Sequence, residues 1–264
     1  MTQENFILNL FEKICRSNIY LFLISRYLIG KYFSKLIFDS DFKIIKILKK
    51  NKFFKSNKLI VDIGANDGMS YNIIRKFDKN CKIISFEPNF INFENLKKIE
   101  KKDFFFKCFK FALSDKNQKK NFFTPYFKNY PITQMAGVNK AGVKKRLESS
   151  LFIKNMFKKI NFKKQNIEVK KLDYFKLKPQ FIKIDIEGHE YECVKGSIKT
   201  IIKHKPILMI EYDKNICDKI YSLIRKYNYK KYMYDKTSKK IIKFKNQKIF
   251  NIFFINNKFL KFIK

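Results

Sequence analysis

The sequence predicts an open, doubly wound α/β sheet preceded by a helical segment. Three observations predict it. Short, near-continuously apolar runs recur from Lys58 onward, helical patterns lie between them, and the first run breaks at a glycine-bearing turn, VDIGANDG. Runs that are apolar throughout are strands covered on both faces. Strands alternating with helices are βαβ units, and those make a parallel sheet. The 264 residues suffice for one large domain, and 45% apolar residues will fill its core.

Residues 3–50 come first. FILNLFEKI, YLFLISRYLIGKYFSKLIF and DFKIIKILKK place apolar residues at helical spacing, with Ser17 and Asp39 or Asp41 as caps. We therefore expect a helical N-terminal segment over 1–55 and the sheet domain over 56–264. An apolar stripe at this spacing packs on the protein's own core by default, and an anionic membrane is the other surface it suits. SNIYLFLIS is only nine residues long and sits between Arg16 and Arg26. That is too short to span a bilayer. Glu4 and Glu12 precede it and no small-residue cleavage site follows, so it does not read as a secretory leader. The expected location is cytoplasmic, with a peripheral place at the inner face of the membrane.

The sheet domain then reads in order. KLIVDIG is the first strand and Ser70–Phe77 its helix; CKIISFEPN is the second, followed by a helix over Phe90–Ile99. FFKCFKFALSD is the third, and its aromatic part, Phe104–Phe111, reads as a buried strand. FIKIDIEG and PILMIEY are the fourth and fifth, followed by helices over His189–Ile202 and Asn215–Lys226. YKKYMYD, IIKF and KIFNIFFIN close the sheet. Between about 124 and 165 the alternation stops. An insertion of that size reads as a substrate loop or lid.

Charge and cysteine limit the function classes. The formal charge is +36, which suits anionic partners, nucleic acid among them. Yet only five of the 59 basic residues are Arg. Nucleic-acid readers lean on the bidentate fork of Arg, so a lysine-coated solvent face is the simpler account. The alternative is a nucleic-acid-binding protein or an RNA methyltransferase that exploits the basic surface. Five scattered cysteines without a CxxC pair suggest neither a zinc site nor a disulfide framework.

The motifs point to a ligand. In open α/β sheets, ligands sit at the carboxyl ends of the strands, at the switch point. Gly64 and Gly68, with Ala65 and Asn66 between them, give G-x-x-x-G, not the G-x-G-x-x-G of dinucleotide enzymes. Asp62 at that turn would repel a pyrophosphate and attract a cation. Glu87, followed by Pro88, ends the second strand 25 residues later, where ribose hydroxyls are gripped. A nucleoside joined to a cationic amino acid fits both, and S-adenosylmethionine is such a ligand. Ser114 and Asp115, ending the third run, would meet its adenine.

VDIGANDG, SFEPN, FALSD, IKIDIEGHEYECVKGS and PILMIEY, in this order from Leu59 to Tyr212, resemble the FkbM family of S-adenosylmethionine-dependent O-methyltransferases. The first motif is shared by most class I methyltransferases, and K-x-D-x-E-G-H-E is far more specific. The resemblance implies a Rossmann-like class I fold with a mostly parallel, seven-stranded sheet. It also implies methyl transfer to a hydroxyl, on a sugar of a surface polysaccharide or lipopolysaccharide precursor. The partner would then be a hydroxyl-bearing saccharide or lipid-linked glycan. The N-terminal segment and the 124–165 insertion lie outside the motifs.

The fourth strand carries the chemistry. Alternation puts Lys183, Asp185 and Glu187 on one side of FIKIDIEG, and Gly188 permits the turn into the next helix. A lysine in a central strand needs a carboxylate partner: Asp185, Glu187 or Asp62. Methyl transfer to a hydroxyl needs a base, and His189 and Asp185 are the candidates. Lys183 would steady the developing oxyanion. Asp185, Glu187 and Glu211 are the oxygen ligands a divalent metal would take, but no spacing demands one. His189 has a second reading, as a residue that shapes the turn through Asp185 or Glu187.

Overall fold

The computed structural model describes residues 39–264, apart from 55–57, 128, 150–159, 248 and 264. The helices expected over 3–38 lie outside the described residues. Helix α1 (Asp39–Lys50) forms as its periodicity requires and buries Phe42, Ile44, Ile45 and Leu48. Asp41 is no cap: its carboxylate lies within α1 and accepts from Asn251 Nδ2 at 2.9 Å.

The main sheet uses β1 (Leu59–Ile63), β2 (Lys82–Phe86), β3 (Phe106–Phe109), β8 (Phe181–Ile184), β9 (Ile207–Glu211), β10 (Tyr229–Asp235), β11 (Lys240–Lys243) and β12 (Asn251–Asn256). Their spatial order is β11-β10-β12-β9-β8-β1-β2-β3. Neighbours from β9 to β3 run parallel, and β9, β12, β10 and β11 pair antiparallel. The sheet therefore has eight strands, not the expected seven. The extra strand is β11, which turns back on β10 in a hairpin from Tyr232↔Lys243 to Asp235↔Lys240.

Strand alternation sorts the core into two layers. Ile60, Ile83, Phe181 and Met209 pack with α1, α2 (Met69–Phe77) and α3 (Phe90–Glu100). Val61, Ile182, Ile184 and Leu208 pack with Cys193, Val194 and Ile201, and with Cys217 and Ile220 of the helix that follows β9. The four described cysteines are free and buried. Chain order runs β1, β2, β3 to one side, then returns to place β8 on the other flank of β1. That reversal is the switch point where such sheets bind ligands.

Two sequence expectations fail locally. The run Phe104–Phe111 is not one buried strand. Phe106 and Cys108 are buried, whereas Phe104 is 95% exposed in the turn before β3. Beyond β3 the run breaks, and β4 (Ala112–Leu113) pairs with β7 (Ile160–Lys170) instead. The single helix expected over His189–Ile202 is split in two, with Gly196–Ser197 between the halves. A Cβ on Gly196 would lie 1.9 Å from the Ser114 carbonyl oxygen, so the chain must bend around that contact.

Ser40–Lys120 with Ile167–Lys264 make one compact unit, and Asn121–Asn166 belongs to a second. The second is more than a loop. It contains most of β5 (Gln118–Phe127), which pairs antiparallel with β6 (Tyr130–Pro131), and α4 (Lys140–Ser149). Phe122, Phe127, Ile132, Val143 and Leu147 are buried there, an apolar set that accounts for the regular structure.

Gly196→Ala should cost about 2–3 kcal/mol, since backbone and not a flexible side chain stands in the way. Urea unfolding monitored by circular dichroism checks it. A change below about 0.5 kcal/mol, the size of a neutral surface substitution, would show that the contact yields easily.

Candidate functional site

The site is built around the turn after β1. Gly64 (φ 81), Asn66 (φ 48) and Gly68 (φ 90) all take left-handed conformations there. Gly64 and Ala65 donate their N–H groups to the Phe86 carbonyl at 3.0 and 3.3 Å, which ties the turn to the end of β2. At Gly64 any side chain is excluded. A Cβ would stand 1.9 Å from the Asp185 carbonyl oxygen, because the chain leaving β8 passes directly against the turn.

Glu87 organises the other side of that turn. Its Oε2 accepts from Asn66 N at 2.9 Å and its Oε1 from Asn89 N at 2.8 Å. Pro88 lies between, and Asn89 caps α3 by accepting from Ile91 N. The Asn92 amide adds a 2.6 Å bond to Asn66 Oδ1. Glu87 is buried, and desolvation pushes its carboxyl up to about 7 against the pull of the two N–H donors.

Asp62, Lys183 and Ser85 stand side by side on β1, β8 and β2, in register Asp62↔Lys183 and Asp62↔Ser85. Lys183 Nζ lies 3.5 Å from Asp62 Oδ1 and 3.2 Å from Asp185 Oδ2. Of the two, Asp62 is wholly buried and Asp185 is 40% exposed. Burial pushes the lysine down, but the two carboxylates outweigh it, and Lys183 is held above its ordinary range as an ammonium. Asp62 moves up as well: its complete desolvation exceeds what Lys183 returns. The two directions compete, and the contacts favour the charged ammonium, which has a partner on each side. Neither Asp62 oxygen has a hydrogen-bond partner among the described residues, and nor does Ser85 Oγ.

The expected partner set for Lys183 thus narrows to Asp62 and Asp185. Glu187 (φ 58) is exposed in the loop after β8, and Gly188 (φ 96) follows it. That loop is held by a residue the sequence did not mark for the task. Glu190, 2% exposed at the start of α5 (Glu190–Lys195), accepts from Ile186 N and Gly188 N through one oxygen, both at 3.1 Å. Desolvation raises its carboxyl despite those donors.

His189 belongs to a different cluster. Its Nε2 lies 3.0 Å from Ser114 Oγ and its Nδ1 3.4 Å from Glu192 Oε2. The turn-shaping reading gave it Asp185 or Glu187; its partners are Ser114 and Glu192 instead. Ser114 is buried, Asp115 pairs with Lys195 at 2.9 Å, and the Ser114 carbonyl rests on Gly196. Glu211 stands at the end of β9, and its carboxyl is raised by desolvation and by the neighbouring charges of Asp185, Glu187 and Glu190. Among the described residues no three His, Cys, Asp or Glu are grouped to hold a metal ion.

Sequence reasoning missed Ser85, Asn92, Glu190 and Glu192 as parts of the site. Ser85 had a readable signal as a small polar residue inside an otherwise apolar strand, and Glu190 as the last member of K-x-D-x-E-G-H-E. The contacts of Asn92, Glu190 and Glu192 appear only when helices α3 and α5 are folded.

Two outcomes follow from this geometry. Lys183→Ala leaves Asp62 as a buried charge without its ammonium and should destabilise the fold by about 3 kcal/mol. In a double-mutant cycle, Asp62→Ala should recover part of that loss; strict additivity would mean that the pair is not coupled. Glu87 has its ordinary carboxyl at 4.5 and a folded value of about 7. Between those values the folded chain holds a proton that the unfolded chain has released. The contribution of Glu87 to stability therefore declines as pH rises through that window, and Glu87→Gln should flatten the slope. Thermal unfolding from pH 4.5 to 7.5 checks it, and an unchanged slope would refute the assignment.

Comparison with known proteins gives the family. Residues 62–231, well over half of the chain, match the Methyltransferase FkbM domain. Among solved structures, the methyltransferase FkbM of Methylobacillus flagellatus KT aligns at 18% identity with a TM-score of 0.49. That alignment covers 76% of this chain but 44% of the other, so the chain spans less than half the length of that relative. A precorrin-6y C5,15-methyltransferase of Geobacter metallireducens GS-15 aligns at 10% identity, TM-score 0.37, over 80% of this chain and 84% of its own. No curated protein matches. The match begins at Asp62, the buried carboxylate of the turn, and runs through Lys183, Glu190 and Glu211, so the chain belongs to the FkbM methyltransferase family.

Proposed function

We propose that the protein is an S-adenosylmethionine-dependent O-methyltransferase whose acceptor is a hydroxyl on a saccharide, in a surface polysaccharide or lipopolysaccharide precursor. The observation that carries the cofactor reading is Asp62, a fully buried carboxylate beside the side-chain-free Gly64: Lys183 Nζ stands 3.5 Å from its Oδ1, and its Oδ2 has no hydrogen-bond partner among the described residues. A buried acceptor without a donor is costly unless a ligand supplies one. An ammonium or sulfonium end would do so. Glu87 supports the same reading, since each of its oxygens accepts one N–H and keeps a lone pair for a ribose hydroxyl. The left-handed Asn66 and Gly68 shape the same turn, and Ser114 with Asp115 would make the polar wall for adenine.

When bound, S-adenosylmethionine supplies an electrophilic methyl group. The chain's own residues must hold the acceptor oxygen in line with it, and alignment supplies most of the rate. Of the two candidate bases, Asp185 has the better claim. It is partly exposed, beside Lys183, at the point where the β8 loop meets the Gly64 turn. Its carboxylate is placed to take the hydroxyl proton while Lys183 steadies the negative charge that develops. His189 is engaged on both ring nitrogens and serves the adenine side.

Calorimetry with S-adenosylhomocysteine is the first test. Micromolar binding to the wild type, weakened at least about tenfold in Asp62→Ala and Glu87→Ala, is expected, a loss of about 1.4 kcal/mol. No binding to the folded wild type would end the cofactor reading. Asp185→Asn should then keep binding and lose methyl transfer to a panel of sugar hydroxyls. If His189→Gln lost transfer and Asp185→Asn kept it, the roles would be reversed.

A further inference from the structure

At the amino edge of the sheet, opposite the turns just described, the connection from α3 to β3 carries KKDFFFK, Lys101 to Lys107. Phe104 at its tip is 95% exposed and Phe105 39%, with their rings edge to face at 5.6 Å. A single exposed aromatic is ordinary, but a pair held out together is not. The tip is built to present them. Asp103 Oδ1 accepts from Phe105 N at 2.8 Å, and its Oδ2 accepts from Tyr71 OH at 2.8 Å and Arg75 Nε at 2.6 Å. Its backbone carbonyl takes Phe106 N, and its own N–H goes to Ile99. The turn is anchored by these five hydrogen bonds while the two rings stand exposed.

Charge at this edge is one-sided. Asp103 is neutralised by Arg75, Asp78, the nearby acid after α2, is paired with Lys58 at 2.5 Å, and Glu100 at the end of α3 is paired with Lys97. Lys101, Lys102 and Lys107 stay exposed around the rings, as does Lys79 in the preceding connection. Farther along, His204 is held below its ordinary value by desolvation and by Lys203 and Lys178.

We propose that this edge docks on an anionic lipid surface, with Phe104 and Phe105 inserted at the headgroup boundary and the lysines on the phosphates. Aromatic rings rimmed by lysine are the chemistry that interface selects. Two rings are too little apolar surface for a stable protein interface, which needs on the order of 1,000 Å². They suffice when a bilayer adds charge attraction. No described helix is long and apolar enough to cross a membrane.

The chain has no Trp, so Phe104→Trp gives a single tryptophan emitter at an exposed position whose ring neighbour is Phe105. On phosphatidylglycerol vesicles at physiological salt its emission should shift to the blue and be quenched by brominated acyl chains. Phosphatidylcholine vesicles should do neither. Phe250→Trp, 70% exposed beside the opposite end of the sheet, is the control and should stay unquenched. Phe104→Ser with Phe105→Ser should weaken cosedimentation about tenfold. Sedimentation without quenching at 104, or undiminished binding by the double serine variant, would mean adsorption by net charge alone and overturn the proposal. No sedimentation of the wild type overturns it too, and an emission shift on RNA alone would assign the edge to nucleic acid. None of these readouts involves methyl transfer, so they stand apart from the proposed activity.

Discussion

Everything at the carboxyl edge depends on how closely two backbones approach. The chain leaving β8 passes the β1 turn at a distance that leaves no room for a Cβ on Gly64. That approach sets Asp185 next to the turn, keeps Lys183 between two carboxylates, and fixes where the β8 loop begins. Asp185 N also donates to the Ile63 carbonyl, so ladder pairing runs to the last residue before the loop. A one-residue shift of β8 against β1 would turn Lys183 away from Asp62 and into the apolar layer of Val61 and Ile182.

The buried lysine shows a second constraint. A charge in a sheet interior is expensive, and apolar residues of like volume often give equal stability. Its placement in register with Asp62 and Ser85 puts three polar side chains in a row across β8, β1 and β2, just below the switch point. Such a row is tolerable only at a strand end where ligand and solvent can complete it. The same loop relies on Glu190, which spends one oxygen on two backbone donors and so freezes the conformation of Glu187 and Gly188.

The parts of the fold that were legible in the sequence are those fixed by local pattern. β1, β2, β8 and β9 are apolar on both faces, so length and turn residues bounded them. Asp62, Gly64 and Glu87 were legible because a strand end needs few alternatives. What was not legible depends on partners far along the chain. Gly196 breaks a helix because of the carbonyl of Ser114, and His189 turns to Ser114 and Glu192, away from Asp185. The closing run IIKF, by contrast, was legible as a strand, and its pairing with β10 makes the sheet one strand wider than the family resemblance implied. Phe104 has the composition of a strand, but Asp103 folds it outward.

The two edge strands of the main sheet give the lysine excess a physical meaning. β3 exposes Lys107, and β11 begins and ends on the exposed Lys240 and Lys243. An edge strand offers unpaired N–H and C=O groups to any other chain, and like charges along it are a deterrent to such pairing. In a chain with 31 Phe, the interior sequences are strongly prone to aggregation whenever they are uncovered. Lysines at both borders make the first step of self-association a meeting of like charges. The protection is electrostatic, so it weakens as ionic strength rises. Solubility of this protein is therefore a property of the buffer as much as of the fold.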